Sequence, residues 1–205
     1  MIQEYDAVLE SHLFLKQKRD DSIKGRLVAG GNKQHGTINK EDATSPTTAL
    51  ELIILTATID AKEGRDVAII NIPNVFVQIR IEDDNDIAIM CLRGKLAELM
   101  AATAPEIYRK HVTINRNGET VLYVRALNAI YGIMKSALLF YIKFVKILLS
   151  IGFELNPYDP CVANTTVDNL QLTVVWHVDD LKVSHVLTKV FFSQLAILVT
   201  TLVRT

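Results

Sequence analysis

The chain has too few cysteines to build a disulfide framework. Its two cysteines, Cys91 and Cys161, form no Cys-x-x-Cys pair. A small disulfide-stabilised secreted scaffold is therefore excluded, because such scaffolds rely on several regularly spaced cysteines. A reducing compartment suits this composition, and we expect an intracellular protein, cytoplasmic or nuclear.

The chain also lacks the long apolar runs that membrane insertion requires. The closest run, residues 190–203, is short and contains four polar residues, whereas a spanning helix needs about 20 consecutive apolar residues. Near the N-terminus, Glu4, Asp6 and Glu10 interrupt any apolar stretch, so the apolar core of a signal peptide is missing. We expect no membrane-spanning segment and no membrane partner.

An excess of charge of one sign is missing as well. The chain carries 22 Lys and Arg against 23 Asp and Glu, so its formal net charge is −1. A site for a polyanion such as nucleic acid must therefore come from local clustering. One basic cluster stands out, formed by Lys16, Lys18, Arg19, Lys24, Arg26 and Lys33. A solvated surface is the alternative explanation for such a charge run.

Hydrophobic periodicity predicts a mixture of short strands and helices, an α+β pattern with mostly antiparallel hairpins. Predicted helices cover residues 1–12, 47–61, 95–104 and 136–151. Predicted strands cover residues 13–19, 23–30, 67–72, 87–92, 112–115, 120–127, 162–166, 170–178 and 181–186. The helix at 47–61 is predicted to carry Ala49, Leu50, Ile53, Ile54 and Ala57 on one face. The continuous apolar run at 67–72 predicts a strand buried on both faces.

Several residues that could carry chemistry are assigned to packing instead. Trp176 is expected in the core at its strand spacing, and Cys161 is expected to act as a buried small hydrophobe. Histidines without metal-ligand spacing are expected at the surface or half-buried, and these are His12, His35, His111 and His185.

The most informative feature is the acidic pair Asp179-Asp180, which separates two apolar runs rich in β-branched residues. Both runs are typical of strands, so the pair is predicted to lie at a tight reversal between them. Two carboxylates on a rigid hairpin suit Mg²⁺, an ion that takes oxygen ligands and keeps several waters and substrate phosphates. The alternative is a polar turn without function, because Asp is a favoured turn residue.

Other blocks occur around this pair in a characteristic order. The sequence Lys24-Gly25-Arg26-Leu27-Val28-Ala29 is followed by Thr44-Ser45-Pro46, by residues 67–78, by Ala129-Ile130-Tyr131-Gly132, by Gly152-Phe153, by Asp159-Pro160-Cys161-Val162 and by His177-Val178-Asp179-Asp180. In this order the blocks resemble the reverse transcriptase domain of Ty1/copia-type retrotransposon polyproteins.

That resemblance implies a right-hand polymerase fold. Residues 13–185 would form the fingers and the palm, the palm being an antiparallel sheet with helices on one face. Residues 1–12 would be an N-terminal extension, and residues 186–205 a divergent C-terminal segment in which the family pattern fades.

The resemblance also implies a chemistry. In this family two Mg²⁺ ions, or Mn²⁺, held by palm carboxylates promote in-line nucleotidyl transfer from a dNTP to an RNA or DNA primer–template. Asp179 and Asp180 match two of these carboxylates. Lys24 and Arg26 match residues that reach the incoming phosphates, and their equal parity predicts one shared face. Phe76 matches the steric gate against a ribose 2′-hydroxyl.

The third catalytic carboxylate is missing, because Asn71 occupies its position. Asn supplies one neutral oxygen where the two-metal site needs an anionic ligand. Asp66 lies five residues upstream, about 16 Å along a strand and on the opposite face, so it is not expected to substitute. We therefore expect impaired polymerase activity and weak binding of one metal ion.

Two other functions remain open at this stage. One is a non-catalytic nucleic-acid-binding or structural remnant of a retrotransposon, which Asn71 favours. The other is a different Mg²⁺-dependent phosphotransfer domain, such as a receiver-like fold that uses Asp179 and Asp180. Receivers carry their acidic pair near the first strand of a parallel sheet, whereas this pair lies late in a hairpin.

Overall fold

The computed structural model describes residues 8–36, 38–81, 88–187 and 196–197. The chain is α+β and divides into two compact units, one of residues 1–44 and 80–136 and one of residues 45–79 and 137–205. Within the described ranges, no helix is long and apolar enough to cross a membrane.

The strands and helices are numbered in chain order. The strands are β1 Val8–Gln17, β2 Ile23–Ala29, β3 Asp66–Asn71, β4 Ala88–Arg93, β5 Thr113–Ile114, β6 Thr120–Ala126, β7 Glu154–Leu155, β8 Val162–Val167, β9 Leu170–His177 and β10 Asp180–His185. The α-helices are α1 Lys40–Ala43, α2 Leu50–Glu63, α3 Lys95–Thr103, α4 Pro105–Tyr108 and α5 Ser136–Ser150. Short 3₁₀ helices cover Gly31–Gly36, Val75–Gln78 and Arg109–His111.

The first unit contains a five-stranded sheet in the order β2-β1-β4-β6-β5. The β1–β2 hairpin predicted from the sequence is confirmed, with Lys18 donating its N–H to the carbonyl of Ser22 across the turn. The hairpin predicted at Asn117-Gly118 is confirmed as β5–β6. There Gly118 takes a φ of 77°, a conformation that Gly adopts without steric cost.

The helix predicted over residues 1–12 is wrong for Val8–His12, which belong to β1. Val8 and Leu9 pair in parallel with Ile89 and Met90 of β4, and Leu9 is fully buried. Pairing with a distant strand therefore outweighs the local helical spacing. The rest of that predicted helix, residues 1–7, lies outside the described residues.

In this unit the backbone of residues 29–31 lies against the backbone of Tyr131 and Gly132, and glycines allow this close contact. The N–H of Ala29 donates to the carbonyl of Tyr131 over 2.7 Å. Gly132 has a φ of 92°, and a Cβ at this position would collide with the carbonyl oxygen of Ala29. A Cβ on Gly31 would collide with the carbonyl oxygen of Gly132. Only Gly allows these backbones to approach so closely.

The second unit contains an antiparallel sheet in the order β3-β10-β9-β8-β7. The hairpin predicted over Asp168-Asn169 is confirmed as β8–β9. Both turn residues have positive φ, 52° and 61°, as a type I′ turn requires. Trp176 is buried and meets Phe144 of α5 edge-to-face at 5.1 Å between ring centroids. The predicted core positions of Trp176 and Cys161 are thus confirmed.

The prediction of helices on one face of this sheet is wrong. Successive side chains of a strand point to opposite faces, so Lys182 and Leu181 lie on different sides of β10. Lys182 contacts Asp60 of α2 over 2.5 Å. Trp176, the cross-strand partner of Leu181, packs on α5 instead. Among the helices that the structure describes, α2 therefore lies on one face of this sheet and α5 on the other.

The buried side of α2 also differs from the prediction. Leu50 and Ile54, which belong to the predicted apolar face, are exposed, whereas Thr56 and Asp60 are buried. The reason is that Lys182 donates hydrogen bonds from its Nζ to both Thr56 Oγ1 and Asp60 Oδ2. Because these hydrogen bonds satisfy the polar groups of all three residues, this side of α2 can face the sheet.

The prediction that β3 is buried on both faces is wrong as well. β3 is the edge strand of the described sheet, and its residues alternate between half-buried and exposed. Val67 and Ile69 are exposed. An apolar run does not reveal whether its strand lies at the centre or at the edge of a sheet, because the order of the strands depends on the whole fold.

Replacing Gly132 with Ala tests the close approach of the two blocks. We expect the free energy of unfolding to fall by at least about 2 kcal/mol. A positive φ destabilises Ala by about 1–2 kcal/mol, and the collision of its Cβ with Ala29 adds to this loss. Chemical denaturation followed by circular dichroism measures the loss. Gly118→Ala is the matched control, because Gly118 also has positive φ but no heavy atom near the added Cβ. Equal losses in both variants would contradict the close approach.

Candidate functional site

The predicted reversal at the acidic pair is present. His177 at the end of β9 pairs with Asp180 at the start of β10, so Val178 and Asp179 form a two-residue turn. Asp179 is half-buried and Asp180 is exposed. The hairpin thus holds one carboxylate in the turn itself and the other at the first position of the following strand.

Val178 in this turn has a φ of 56°. A β-branched residue in the left-handed region is a genuine outlier, because its Cβ approaches the following carbonyl group. Such strain tends to be retained at functional sites, where the surrounding structure enforces it. This strain was not predicted from the sequence. A two-residue hairpin with Val at its first position would have indicated it, since the favoured turns need positive φ there.

The structure brings Asn71 to the acidic turn. β3 and β10 are antiparallel, and their register pairs Asn71 directly with Asp180. The side-chain amide of Asn71 donates from Nδ2 to Asp180 Oδ1 over 2.9 Å. The N–H of Ile72 donates to the carbonyl oxygen of Asp179 over 3.0 Å. Residues 71, 179 and 180, named together from the sequence, therefore form one cluster.

His177 completes one row on the surface of the sheet. Directly paired residues in an antiparallel sheet point to the same face, so His177, Asp180 and Asn71 share a face. All three are exposed. The next residue of β10 on this face is Lys182, whose ammonium group is bound to Asp60 and Thr56.

Asp66 is far from this cluster, as its spacing predicted. It pairs with His185 at the opposite end of the β3–β10 ladder. His185 itself corrects the sequence analysis, because it is fully buried rather than at the surface or half-buried. Its Nδ1 accepts the N–H of Leu187 over 2.9 Å, and its position along β10 places the imidazole on the same face of the sheet as Leu181.

Phe76 follows β3 within the same unit. It lies in the 3₁₀ helix Val75–Gln78 and is buried together with Val75. The segment is held by Gln78, which donates from Nε2 to the carbonyl oxygen of Pro73 over 2.9 Å. Asn74, which precedes the 3₁₀ helix, has a φ of 54°, a value that Asn tolerates better than most residues.

Lys24 and Arg26 lie in the other unit, on β2. Both are exposed, and their alternation along the strand places them on one face, as predicted. The guanidinium carbon of Arg26 lies 4.5 Å from the centroid of the Tyr131 ring, within the range of a cation–π contact. Tyr131 belongs to the block that meets β2 through Gly132.

Asp159 is a residue whose role the sequence analysis missed. Its buried carboxylate accepts the N–H of Ala49 over 3.0 Å, the hydroxyl of Thr48 over 3.2 Å and the N–H of Cys161 over 2.8 Å. From a distant part of the chain it thereby anchors Thr48 and Ala49, the two residues that lead into α2. In the sequence, only the Asp159-Pro160-Cys161 block drew attention to Asp159. The spacing within that block could not show that its carboxylate binds Thr48 and Ala49.

The thiol of Cys161, next to this carboxylate, is unreactive. Burial, with a smaller contribution from the negative charge of Asp159, raises the pKa of Cys161 to about 12. A thiol with such a pKa stays protonated near neutral pH and is a poor nucleophile. Cys161 therefore contributes packing to the second unit.

The donor set at the acidic turn is small. Across the ranges that the structure describes, no three His, Cys, Asp or Glu residues are grouped so that they could hold a metal ion. The turn offers two carboxylates and one amide, and the amide directs a donor at Asp180. This set fits a single hard divalent cation and falls one anionic ligand short of a two-metal centre.

Comparison with known proteins identified no relative. No family model matches the chain, and neither a curated protein nor a solved structure matches it.

Replacing Asp159 with Asn tests how strongly this carboxylate anchors the residues before α2. The variant places an NH₂ group where carboxylate oxygens now face three donors, so we expect a loss of about 1–3 kcal/mol in the free energy of unfolding. Urea denaturation measures it. Asp168→Asn in the exposed β8–β9 turn is the control and should change stability by less than about 0.5 kcal/mol. A similar small effect at both positions would show that the contacts of Asp159 do not stabilise the segment before α2.

Proposed function

We propose that this chain is a reverse transcriptase-like domain of a copia-type retroelement, whose two-metal nucleotidyl transfer is impaired. The activity implied is RNA-directed DNA synthesis. The observation that carries the proposal is the pairing of Asn71 with Asp180, one residue beyond Asp179, at the ends of two neighbouring antiparallel strands. These are the three positions at which the family resemblance requires metal ligands.

The substrates of the proposed reaction are a primer–template of RNA or DNA and a dNTP. Lys24 and Arg26 would contact phosphates, and Phe76 would act as the steric gate beside the nucleotide. The fingers would correspond to the unit that carries the β1–β2 hairpin, and the palm to the unit that carries the acidic turn. The setting would be intracellular, cytoplasmic or nuclear.

The impairment follows from charge. In a two-metal centre each Mg²⁺ brings two positive charges, and the bridging carboxylates neutralise them while the primer hydroxyl and the triphosphate are aligned. Here Asp179 and Asp180 supply two negative charges and Asn71 supplies none. The amide also occupies one lone pair of Asp180, so a metal ion must compete with the existing hydrogen bond.

Weak binding of one Mg²⁺ or Mn²⁺ is therefore the expected cofactor state. Asp179 and Asp180 would be its protein ligands, and water or substrate phosphates would fill the remaining positions of the octahedron.

A second function is favoured by a specific observation. The amide of Asn71 gives the carboxylate of Asp180 a hydrogen-bond partner, so this carboxylate needs no cation. Such a pairing is expected for a remnant retained only for nucleic-acid binding or for structure. Salt-dependent affinity for a primer–template separates a nucleic-acid binder from an inert remnant, because phosphate contacts release counterions. A receiver-like phosphotransfer domain is less well supported, since the sheet that carries the pair is antiparallel.

Replacing Asn71 with Asp tests the proposed site. A third carboxylate should tighten Mg²⁺ binding at least about tenfold, the scale of outer-shell changes at metal sites. Without metal, the variant should lose about 1 kcal/mol or less of stability, because solvent screens an exposed carboxylate pair. Calorimetric Mg²⁺ titration and thermal melting with and without Mg²⁺ measure both effects, and primer extension with Mn²⁺ measures activity.

Asn169→Asp is the matched control, because it adds the same charge in the β8–β9 turn. It should leave Mg²⁺ affinity unchanged. Robust DNA synthesis by the unmodified chain would overturn the impaired site. Equal Mg²⁺ affinities of the unmodified chain and of Asn71→Asp would show that residue 71 does not face the metal, and the proposed function would lose its main support.

A further inference from the structure

The outer edge of β3 is the least protected sheet edge among the residues that the structure describes. An edge strand presents unpaired backbone N–H and C=O groups, and proteins usually protect such edges by keeping them short or charged. The edge strands β5 and β7 have two residues each, and the edge strand β2 carries Lys24 and Arg26. β3 has six residues and contains no Lys, Arg or Pro. Neither protection is therefore present at β3.

The outward backbone groups of β3 follow from its register with β10. The N–H of Ile72 donates to the carbonyl oxygen of Asp179, which continues that register by one residue. Hydrogen-bonded and non-hydrogen-bonded pairs alternate along an antiparallel ladder. The N–H and C=O groups of Val67, Ile69 and Asn71 therefore point away from β10. Within the described ranges, those of Val67 and Ile69 have no hydrogen-bond partner.

The side chains along this edge suit pairing with another strand. Val67 is 47% exposed and Ile69 is 70% exposed, and their alternation places both on one face of the sheet. Asp66, at the first position, is the one charged residue of β3. β-branched side chains such as these pack well against the residues of a neighbouring strand. An added strand would therefore cover apolar surface and satisfy backbone groups at the same time.

The edge is also complementary to itself. A two-fold axis perpendicular to the sheet relates two antiparallel copies of β3, and centring this axis on Ile69 places that residue opposite its own copy. Val67 then lies opposite Asn71 in both directions. The N–H and C=O groups of all three outward-pointing residues find partners in this register. Asp66 lies opposite Ile72, so the two acidic side chains are kept apart.

We propose that the edge of β3 is a homodimer interface, at which two copies of this chain pair their β3 strands in antiparallel orientation, centred on Ile69. The pairing joins the two sheets into one and uses the same edge of both copies, so assembly stops at the dimer. The inference does not rest on the proposed function, because it requires neither a metal ion nor a nucleic acid. One pair of short strands is smaller than a standard interface, so the dimer should dissociate on dilution.

The first test is analytical ultracentrifugation of the full chain over a range of micromolar concentrations. The mass should rise from monomer to dimer and no further. Ile69→Lys places like charges opposite each other at the centre of the contact, so it should weaken the dimer at least about tenfold. Leu149→Lys is the matched control. It adds the same charge at an apolar position of α5 that is 52% exposed, and it should leave the dimer unchanged.

Cysteine cross-linking tests the register. Directly hydrogen-bonded residues of antiparallel strands have Cα atoms about 5.5 Å apart, within the range of a disulfide. Ile69→Cys should therefore form a covalent dimer under mild oxidation. In Val67→Cys the two thiols would lie four residues apart along the paired strands, about 14 Å, so little covalent dimer should form. The natural cysteines, Cys91 and Cys161, are buried and should not cross-link.

Several results would overturn the proposal. A chain that stays monomeric at every concentration, or that grows beyond the dimer, does not pair as described. Equal effects of Ile69→Lys and Leu149→Lys would place the contact elsewhere, and equal cross-linking of both cysteine variants would refute the register. A monomer that instead binds a synthetic peptide of alternating Thr and Val would assign the edge to a different partner. Thermal melting checks folding, and the cysteine variants decide the question if Ile69→Lys does not fold.

Discussion

The candidate site depends on the register between β3 and β10. Six residues of one strand pair with six of the other, from Asp180 opposite Asn71 to His185 opposite Asp66. A slip of one residue would turn the amide of Asn71 to the other face, because the side-chain period of a strand is two. With this register, Asn71, Asp180 and His177 form one row beside Asp179. This row determines which polar side chains can reach a cation at the turn.

Buried polar contacts tie the second unit to this arrangement. Lys182, on the same face as Asp180, binds Asp60 and Thr56 of α2, and Asp159 accepts the N–H of Ala49, the residue that precedes that helix. Each contact satisfies groups that would be costly to bury alone. A shifted β10 would leave Lys182 without these partners, so we infer that the contacts favour the observed register over its alternatives.

Local signals in the sequence predicted local structure well. Turn residues predicted the hairpins at Asp20-Asp21, Asn117-Gly118 and Asp168-Asn169, and the acidic pair predicted its own reversal. The features that were missed depend on distant partners. β1 begins at Val8 because β4 lies beside it, and α2 buries Asp60 because Lys182 comes from β10. For the site, the sequence indicated which residues belong together, whereas the amide hydrogen bond and the strained Val178 needed coordinates.

The most direct test of the site is paramagnetic broadening of the Asn71 side-chain amide. In an NMR titration with Mn²⁺, an ion held by Asp179 and Asp180 would lie within a few ångströms of Nδ2, given the 2.9 Å hydrogen bond to Asp180. We predict that the Asn71 NH₂ signals broaden at the lowest Mn²⁺ concentrations, before those of Asn169 in the β8–β9 turn. Broadening of both signals only together, at high Mn²⁺, would contradict a metal site at the acidic turn.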